Sequence, residues 1–258
     1  MHWFTYANQN GLDCLWPSLQ VAVLTKPPML DAVCIVDADD AQKKRWLKAH
    51  DVTVVERSVS FPGMLRRHRP DRLQIAMGAY LRFEVPAVCD LLGITDRYIL
   101  TTDCDVMFLD DLSGLERMRP VYLAAAPQFD LADWSFFNSG VMLLNRPAFA
   151  ANLDKLIACI PKLSHCQGFD QDTLNHYYAK RWNWLPVEYN WKPYWGANPA
   201  AKIVHFHGPK AHTCAPVEGE PDAAIIRSHT SVAQLVHELR RGGFGHYSEI
   251  WRSHFAMV

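Results

Sequence analysis

The sequence predicts an α/β protein built on a mostly parallel sheet. The N-terminal third alternates β-prone runs with amphipathic stretches, which is typical of parallel strands joined by crossover helices. Residues 98–112 then form an apolar run that delivers two aspartates to its end. With 258 residues, 49% of them hydrophobic, the chain is long enough to bury the core of one domain.

Local patterns predict the elements in order. The N-terminal third gives a strand over 3–6, a polar turn over 7–11, a helix over 15–24 with Pro17 in its first turn, a strand over 32–36, a helix over 41–49 and a strand over 52–55. The rest of the chain gives a helix over 71–83 capped by Asp71 and stopped near Pro86, a strand before Asp103, strands over 121–126 and 136–145, helices over 148–160 and from 168 onward, a strand over 203–208 and a helix over 231–241.

Two carboxylates follow the strand that begins at Tyr98. Side chains at positions i and i+2 of an extended chain point the same way, so Asp103 and Asp105 face one spot while Cys104 turns away. Two like charges that close are unfavourable unless a cation lies between them, and hard divalent ions prefer carboxylate oxygens. An acidic turn without a metal is the alternative that this spacing leaves open.

A second pair of aspartates, Asp37 and Asp39, also stands at a strand end. Asp39 or Asp40 is however well placed to cap the helix that begins at Ala41. We therefore interpret this pair as structural.

Further polar residues stand at element ends, and each has a structural alternative. Arg82 lies near a predicted helix end, where an arginine side chain normally extends into solvent. Asn138 and Gly140 at the mouth of a strand indicate either turn geometry or a backbone that approaches a ligand closely. Asp170 is by itself explained as a helix N-cap. His205 and His207 share one face of the last strand, and a basic loop, residues 208–210, follows them.

Residues 181–195 are rich in aromatic side chains. They hold four of the nine tryptophans and two tyrosines: Trp182, Trp184, Tyr189, Trp191, Tyr194 and Trp195. Aromatics at this density normally form core, but here they alternate with asparagines, a lysine and prolines. A surface that stacks on a sugar is the alternative reading.

Composition excludes several classes of function. Lys and Arg number 26 and Asp and Glu 27, so no surface for nucleic acid is expected. The N-terminal residues, MHWFTY, do not form a secretory signal, and no apolar stretch approaches the roughly 20 residues of a membrane span. Seven scattered cysteines predict neither a disulfide framework nor a zinc site. We expect a cytoplasmic protein.

In order and spacing, five stretches resemble glycosyltransferase family 8, the glycogenin and lipopolysaccharide galactosyltransferase group with a GT-A fold. The stretches are 79–86 (A-x-x-R-x-x-I-P), 98–112 (D-x-D followed by D-x-L), 137–145 (F-N-x-G-V-x-x-x-N), 170–190 (D-Q-D-x-x-N and L-P-x-x-Y-N) and 205–208 (H-F-x-G). The resemblance spans roughly residues 3–210 and puts the metal motif at Asp103 and Asp105 rather than at Asp37. It implies a single GT-A domain, with a transferase core over 1–210 and a helical extension over 211–258.

The resemblance also implies roles for individual residues. It implies a metal-dependent, retaining transfer of a hexose from a nucleotide-sugar, usually a UDP-sugar, to a glycan, lipid-linked or protein acceptor. Mn²⁺ or Mg²⁺ would be held by Asp103, Asp105 and His205, and Gln171 with Asp170 would lie at the reacting face. The donor would be bound by Ala7, Asn8, Arg82, Thr102, Asp103, Cys104, Asp105, Asn138, Ser139, Gly208 and Lys210.

One part of the family pattern is altered. The family usually has K-P-W after the glycine of H-F-x-G, whereas here Lys210 comes one position early and Ala211 and His212 follow. A catalytically inactive relative that binds nucleotide-sugar or glycan is therefore one alternative. A metal-dependent nucleotide phosphohydrolase is another, since it also uses paired aspartates. A peripheral membrane contact at the C-terminus stays open on the basis of Arg240, Arg241, Trp251, Arg252 and Phe255.

Overall fold

A seven-stranded sheet forms the centre of the computed structural model, which describes residues 1–212 and 243–256. The strands of the described residues are β1 (His2–Asn8), β2 (Asp31–Asp37), β3 (Val52–Glu56), β4 (Tyr98–Thr102), β5 (Val106–Phe108), β6 (Leu123–Pro127), β7 (Phe137–Asn145), β8 (Asn183–Trp184) and β9 (Ile203–His205).

The large sheet is mixed but mostly parallel, as predicted. Its order is β3-β2-β1-β4-β7-β6-β8, and β7 runs antiparallel to its neighbours β4 and β6. The other pairs are parallel. The carboxyl ends of six strands and the amino end of β7 therefore meet at one edge of the sheet.

Helices cover the two faces of this sheet. The described helices are α1 (Gln9–Thr25), α2 (Ala41–Ala49), α3 (Pro62–His68), α4 (Leu73–Tyr80), α5 (Val85–Leu92), α6 (Arg146–Ala150), α7 (Leu153–Ile157), α8 (Phe169–Tyr177) and α9 (Phe244–Phe255). Alternate side chains of β1 enter different cores: Phe4 packs with α3, α4, α5 and α8, whereas Trp3 packs with α1 and α2.

Short-range patterns located the first three strands and α2. Asp40 caps α2 by accepting a hydrogen bond from Lys43 N at 2.9 Å, which confirms the structural interpretation of that acidic cluster. The predicted start of α1 was wrong. The helix begins at Gln9, because Asn8 at the end of β1 accepts a hydrogen bond from Gly11 N at 2.9 Å. Pro17 consequently lies in the helix interior rather than in its first turn.

The helix predicted over 71–83 is divided. A 3₁₀ turn at Pro70–Arg72 precedes α4, a second turn at Leu81–Glu84 follows it, and α5 then begins. Asp71 makes no capping hydrogen bond, and Pro86 lies in the first turn of α5, where its missing N–H leaves no helical bond unmade. This division places Arg82 inside a buried turn instead of at a helix tip.

The later predictions needed three corrections. The helix over 148–160 is two short helices, α6 and α7. The N-cap of α8 is Gly168, so Asp170 lies within the first turn. The strand predicted over 203–208 ends at His205 and pairs with β5 in a separate two-stranded ribbon. The helix predicted over 231–241 lies outside the described residues, as do Arg240 and Arg241.

The described C-terminal helix packs onto α1 and the ribbon of β5 and β9. Tyr247 and Trp251 of α9 are buried with Val21 of α1 and Phe206 in a third hydrophobic cluster. Burial makes Trp251 unavailable for the membrane contact that its position in the sequence left open. No helix within residues 1–212 and 243–256 combines the length and the apolar character needed to cross a bilayer.

Candidate functional site

Three metal-ligand side chains converge at the sheet edge. Val106 of β5 pairs with His205 of β9, and Phe206 N donates to Asp105 O at 2.9 Å, so the ribbon brings the histidine to the aspartates. His205 Nε2 lies 3.4 Å from Asp105 Oδ1 and 3.8 Å from Asp103 Oδ2. Within the described part of the chain, this is the one group of His, Cys, Asp and Glu with the proximity of a metal site.

The donor atoms of this group fit a cation. Asp105 Oδ1 is buried and accepts no hydrogen bond from the described residues, which is costly for a carboxylate oxygen. A divalent ion between the two carboxylates and the imidazole would supply the missing positive partner. As predicted, Cys104 turns away, and its thiol donates to Tyr6 O at 3.1 Å.

Asp105 is ionised despite its burial. Burial acts to raise the pKa of its carboxyl, but the neighbouring positive charge, foremost the Lys210 ammonium, outweighs burial and holds the pKa well below its usual range. Lys210 Nζ hydrogen-bonds Asp105 Oδ2 and also donates to Phe206 O at 2.9 Å. The lysine thus lies directly beside the three convergent ligands.

Arg82 joins the two sides of the site. It is almost fully buried, its Nη2 lies 2.6 Å from Asp103 Oδ1, and its Nη1 lies 3.0 Å from Asp170 Oδ2 and donates to Ser139 O at 2.6 Å. Its guanidinium also stacks over the ring of Tyr6, whose hydroxyl donates to Asp103 at 3.3 Å. The forked guanidinium therefore fixes the orientation of both carboxylates at once.

Asp170 is the carboxyl of this site whose pKa is raised. Burial raises the pKa of Asp170 to about 6, the Arg82 guanidinium opposes that rise, and the Asp103 carboxylate adds to it. Its Oδ2 also accepts a hydrogen bond from the Ser139 hydroxyl at 3.2 Å. The carboxyl therefore changes charge within the range in which most enzymes are assayed.

Buried amides connect Gln171 to the histidine. Gln171 Oε1 accepts from Ser139 N at 2.8 Å and from Asn138 Nδ2 at 3.0 Å. Asn138 Oδ1 accepts from Asn190 Nδ2 at 3.1 Å, and Asn190 Oδ1 lies 3.2 Å from His205 Nδ1. Sequence reasoning quoted Asn190 within a motif but gave it no role; its position between two aromatics, Tyr189 and Trp191, carried no signal of its own.

Gly140 is required by the histidine. A Cβ atom built at this residue would lie 2.0 Å from His205 Cε1. The close approach that Asn138 and Gly140 predicted is therefore made, within the described residues, by the imidazole ring against the β7 backbone.

A cavity of about 280 Å³ opens beside the convergent ligands. Six of the residues predicted to bind the donor line it, together with Asp170: Ala7, Asn8, Asp103, Cys104, Asp105 and Lys210. Tyr6, Gly78 and Ile75, which the sequence did not single out, line it as well.

The other predicted donor residues do not line this cavity. Thr102 accepts a hydrogen bond from Trp3 Nε1 at 2.9 Å inside the core, and Arg82, Asn138 and Ser139 are buried within the polar network. Gly208 lies in the loop before Lys210 with φ at 95°, a conformation that glycine adopts readily.

The second aspartate pair does not form a metal group. Asp37 Oδ1 accepts from Ser58 Oγ at 2.5 Å, and neither Asp37 nor Asp39 belongs to the convergent set of the described residues. A larger, shallower cavity of about 550 Å³ lies around these residues at the ends of β2 and β3. We do not interpret this cavity as a functional site, because its carboxylates are solvated or paired. Glu56, for example, pairs with Lys44 at 2.8 Å.

The aromatic segment divides between core and surface. Tyr189, Trp191 and Tyr194 are buried, whereas Trp184 is 65% exposed at the sheet-edge strand β8. Trp134, which the sequence did not single out, stacks on Trp184 with ring centroids 4.4 Å apart and planes 23° from parallel. The expected aromatic surface is thus smaller than residues 181–195 suggest and includes a partner from another loop.

The loop that carries Trp134 is fixed to the site. Three side chains of the aromatic segment donate to three successive carbonyls: Lys192 Nζ to Pro127 O, Tyr194 Oη to Gln128 O and Trp195 Nε1 to Phe129 O. The side chain of Gln128 accepts from Gln171 Nε2 at 3.0 Å. Burial lowers the pKa of Lys192 far below its usual value.

No protein-family model and no curated protein sequence matches the chain. Solved structures do match it. The apo glycosyltransferase GlyE of Streptococcus pneumoniae TIGR4 superposes with a TM-score of 0.61 at 17% identity, over 81% of this chain and 55% of GlyE. This chain therefore spans about half the length of GlyE.

Two further structures share the fold over most of their own length. The galactosyltransferase LgtC, in complex with donor and acceptor sugar analogs, matches with a TM-score of 0.63 at 15% identity, over 82% of this chain and 89% of LgtC. Mouse xyloside xylosyltransferase 1 matches with a TM-score of 0.54 at 14% identity, over 80% of this chain and 97% of that one. At these identities the likeness establishes the fold, and it confirms the predicted GT-A architecture.

Proposed function

We propose that this chain is a metal-dependent, retaining glycosyltransferase that moves a hexose from a nucleotide-sugar, most suitably a UDP-hexose, to a glycan, lipid-linked or protein acceptor. The observation that carries the proposal is the convergence of Asp103, Asp105 and His205 beside a cavity at the sheet edge. The GT-A fold, shared with glycosyltransferases of three kinds, supports it.

The hardest part of such a transfer is the departure of the nucleoside diphosphate. Asp103, Asp105 and His205 would hold a divalent ion, which would supply positive charge to that leaving group. A site with one imidazole and two carboxylates suits Mn²⁺ better than Mg²⁺. The Lys210 ammonium, beside Asp105, adds a fixed charge at the same place.

The chain's own residues would orient the sugar. Asp170, held by Arg82 and Ser139, would accept hydrogen bonds from donor hydroxyls. Gln171, whose amide is oriented by Ser139 N, would lie at the reacting face. With retention, the leaving phosphate itself takes the acceptor's proton, so the site needs no strong protein base. Ala7 and Asn8 also line the cavity, and we assign the nucleoside to them.

We assign the acceptor to the outer face of the loop 128–136. Phe129 is 55% exposed on this loop, and Trp134, further along the same loop, stacks on Trp184 of β8. Flat aromatic surfaces of this kind pack against the apolar faces of sugar rings. A glycan bound here would reach the donor sugar across Gln128, which contacts Gln171.

The test is release of free nucleotide from UDP-, GDP- and ADP-hexoses with Mn²⁺ and with chelator. We expect metal-dependent release of an intact nucleoside diphosphate from one or two donors, and loss of release in Asp105→Asn. Asp37→Asn is the matched control, because Asp37 lies at a strand end outside the convergent set. Release of a nucleoside monophosphate with sugar phosphate would instead identify a phosphohydrolase. Donor binding without turnover in the presence of acceptors would identify an inactive relative.

A further inference from the structure

A chain of buried amides ends on the imidazole of His205, and its direction is set by two backbone groups. Asn138 and Asn190 are at most 2% exposed, and Gln171 is 9% exposed. Because a backbone N–H can only donate, the partners of Ser139 N and Gly140 N must be oxygen atoms. These two backbone N–H groups therefore identify the oxygen and the nitrogen of the Gln171 and Asn138 side-chain amides.

The orientation of each side-chain amide then fixes that of the next amide hydrogen-bonded to it. Ser139 N fixes Gln171 Oε1, which accepts from Asn138 Nδ2 at 3.0 Å. Gly140 N donates to Asn138 Oδ1 at 3.1 Å, and that oxygen also accepts from Asn190 Nδ2 at 3.1 Å. With its nitrogen committed to Asn138, Asn190 presents Oδ1 to His205 Nδ1 at 3.2 Å. An amide oxygen can only accept, so Nδ1 of His205 must carry a proton.

A ring that keeps a proton on Nδ1 can lose only the one on Nε2, so Nε2 is the nitrogen able to present a lone pair. That nitrogen faces Asp105 Oδ1 at 3.4 Å and Asp103 Oδ2 at 3.8 Å. A metal ligand must present a lone pair, and the hydrogen bond at the other ring nitrogen selects which one does so. Gly140, which allows the ring to lie against β7, fixes the plane of the same imidazole.

We infer that Asn190, oriented by Asn138, is a positioning residue that holds His205 in the Nδ1–H tautomer required of the third metal ligand. This inference rests on the proposed metal-dependent function. It also gives Asn138 a role within the protein, since its carbonyl oxygen and one amide hydrogen are used between Gln171, Gly140 and Asn190. The relay connects the proposed reacting face at Gln171 to the metal ligand through three side-chain contacts.

The first test needs no metal. Long-range proton–nitrogen NMR of metal-free protein labelled with ¹⁵N in histidine reports the tautomer of each ring, and comparison with His205→Gln assigns the signal. We expect a proton on Nδ1 of His205, whether or not Nε2 is protonated in the absence of metal. Detection of the Nε2–H tautomer would overturn the relay, whatever the enzyme does.

The second test measures the affinity for Mn²⁺ from the paramagnetic resonance of the free ion, without nucleotide-sugar. Asn190→Leu should weaken binding about 10- to 100-fold, as loss of a group that orients a ligand does. Asn190→Asp, which keeps an acceptor for Nδ1–H, should restore affinity to within a few fold. If Asn190→Leu does not fold, the Asn190→Asp variant and the NMR measurement still decide.

The control is Asn145→Leu at the far end of β7. Asn145 is a similarly buried asparagine that hydrogen-bonds Pro120 O and Val121 O. This variant should lose stability but retain its Mn²⁺ affinity. Equal loss of affinity in Asn145→Leu and Asn190→Leu would reduce Asn190 to a structural residue. Wild-type protein with the expected tautomer and no Mn²⁺ affinity would contradict the proposed function instead.

Discussion

At the scale of single residues, the site depends on charges that are held close together and away from water. Arg82 is paired with Asp103 and Asp170, and Lys210 with Asp105, so two cations balance three carboxylates before any ion binds. Without counting the imidazole, that balance leaves one net negative charge. A divalent cation would reverse the sign of the site and make it attractive to a diphosphate.

The raised pKa of Asp170 predicts a pH dependence of stability. Burial raises its pKa to about 6 from an ordinary value of 3.8, so the folded state binds this proton more tightly than the unfolded state does. The corresponding stabilisation is fully present below pH 3.8 and is lost as the pH rises through 6. A shift of this size corresponds to on the order of 3 kcal/mol between those limits.

Asp170→Asn should remove that dependence. We expect the variant to gain stability relative to wild type as the pH rises from 4 to 7.5: the difference in the free energy of unfolding, variant minus wild type, should increase. Urea titrations followed by circular dichroism in chelator measure the difference. The control is Asp90→Asn. Asp90 is exposed and pairs with Arg146, so this variant should show no comparable trend with pH. A difference that stays constant with pH would contradict the prediction.

Gly140 predicts a second effect of a single residue. An added methyl group in Gly140→Ala would lie 2.0 Å from His205 Cε1, so the imidazole ring must leave its present position against β7. We expect at least a tenfold loss of Mn²⁺ affinity, measured by the resonance of the free ion. In Gly63→Ala the new methyl meets nothing within 4 Å, and affinity should be unchanged. Unchanged affinity in both variants would show that His205 is not a ligand.

At the scale of elements, the loop 128–136 and strand β8 form the proposed acceptor surface. Lys192, Tyr194 and Trp195 hold the backbone at the start of this loop, so its aromatic side chains are presented from a fixed position. A held loop loses little conformational entropy when a ligand binds.

Trp184→Ala should therefore weaken acceptor use and leave donor chemistry intact. Loss of one stacking partner costs about 1 to 1.5 kcal/mol, which corresponds to roughly a tenfold rise in acceptor KM. The measurement is acceptor KM at saturating donor, beside hydrolysis of the donor without acceptor. Leu91→Ala, at an exposed leucine of α5, is the control. An unchanged KM, or an equal loss of donor hydrolysis, would place the acceptor elsewhere.

At the scale of the whole molecule, the site joins elements that are distant in sequence. Asp105 and His205 meet only because β5 pairs with β9, and α9 covers the outer side of that ribbon through Trp251. Binding of a metal to the folded site therefore stabilises contacts that close a loop of about one hundred residues.

Metal binding should accordingly raise the melting temperature. At a free Mn²⁺ concentration 100 times the dissociation constant, linkage predicts about 2.7 kcal/mol of stabilisation. For a chain of this size that corresponds to an increase of roughly 5 to 10 °C. Differential scanning calorimetry in Mn²⁺ and in chelator measures it. Asp105→Asn should show no increase, whereas Asp39→Asn should respond as wild type does.

The sequence by itself determined the fold class, the first three strands, helix α2 and the three residues of the candidate metal site. Alternating apolar residues and helix caps involve residues only a few positions apart, so they can be recognised from the sequence without a structure. The carboxylates of Asp103 and Asp105 do converge as predicted, but residues 103–105 form a bend between β4 and β5 rather than a continuous extended strand. The resemblance to family 8 supplied His205, which no local pattern connects to the aspartates.

Only the tertiary structure decided the partners. The sequence could not show that Arg82 lies between Asp103 and Asp170, that Trp134 stacks on Trp184, or that Asn190 faces His205. These contacts join positions far apart in the chain, and side-chain periodicity specifies which face is buried but not what it meets there. The hydrogen-bonding direction of a buried amide is likewise set by whichever backbone groups surround it, and that is known only once the chain has folded.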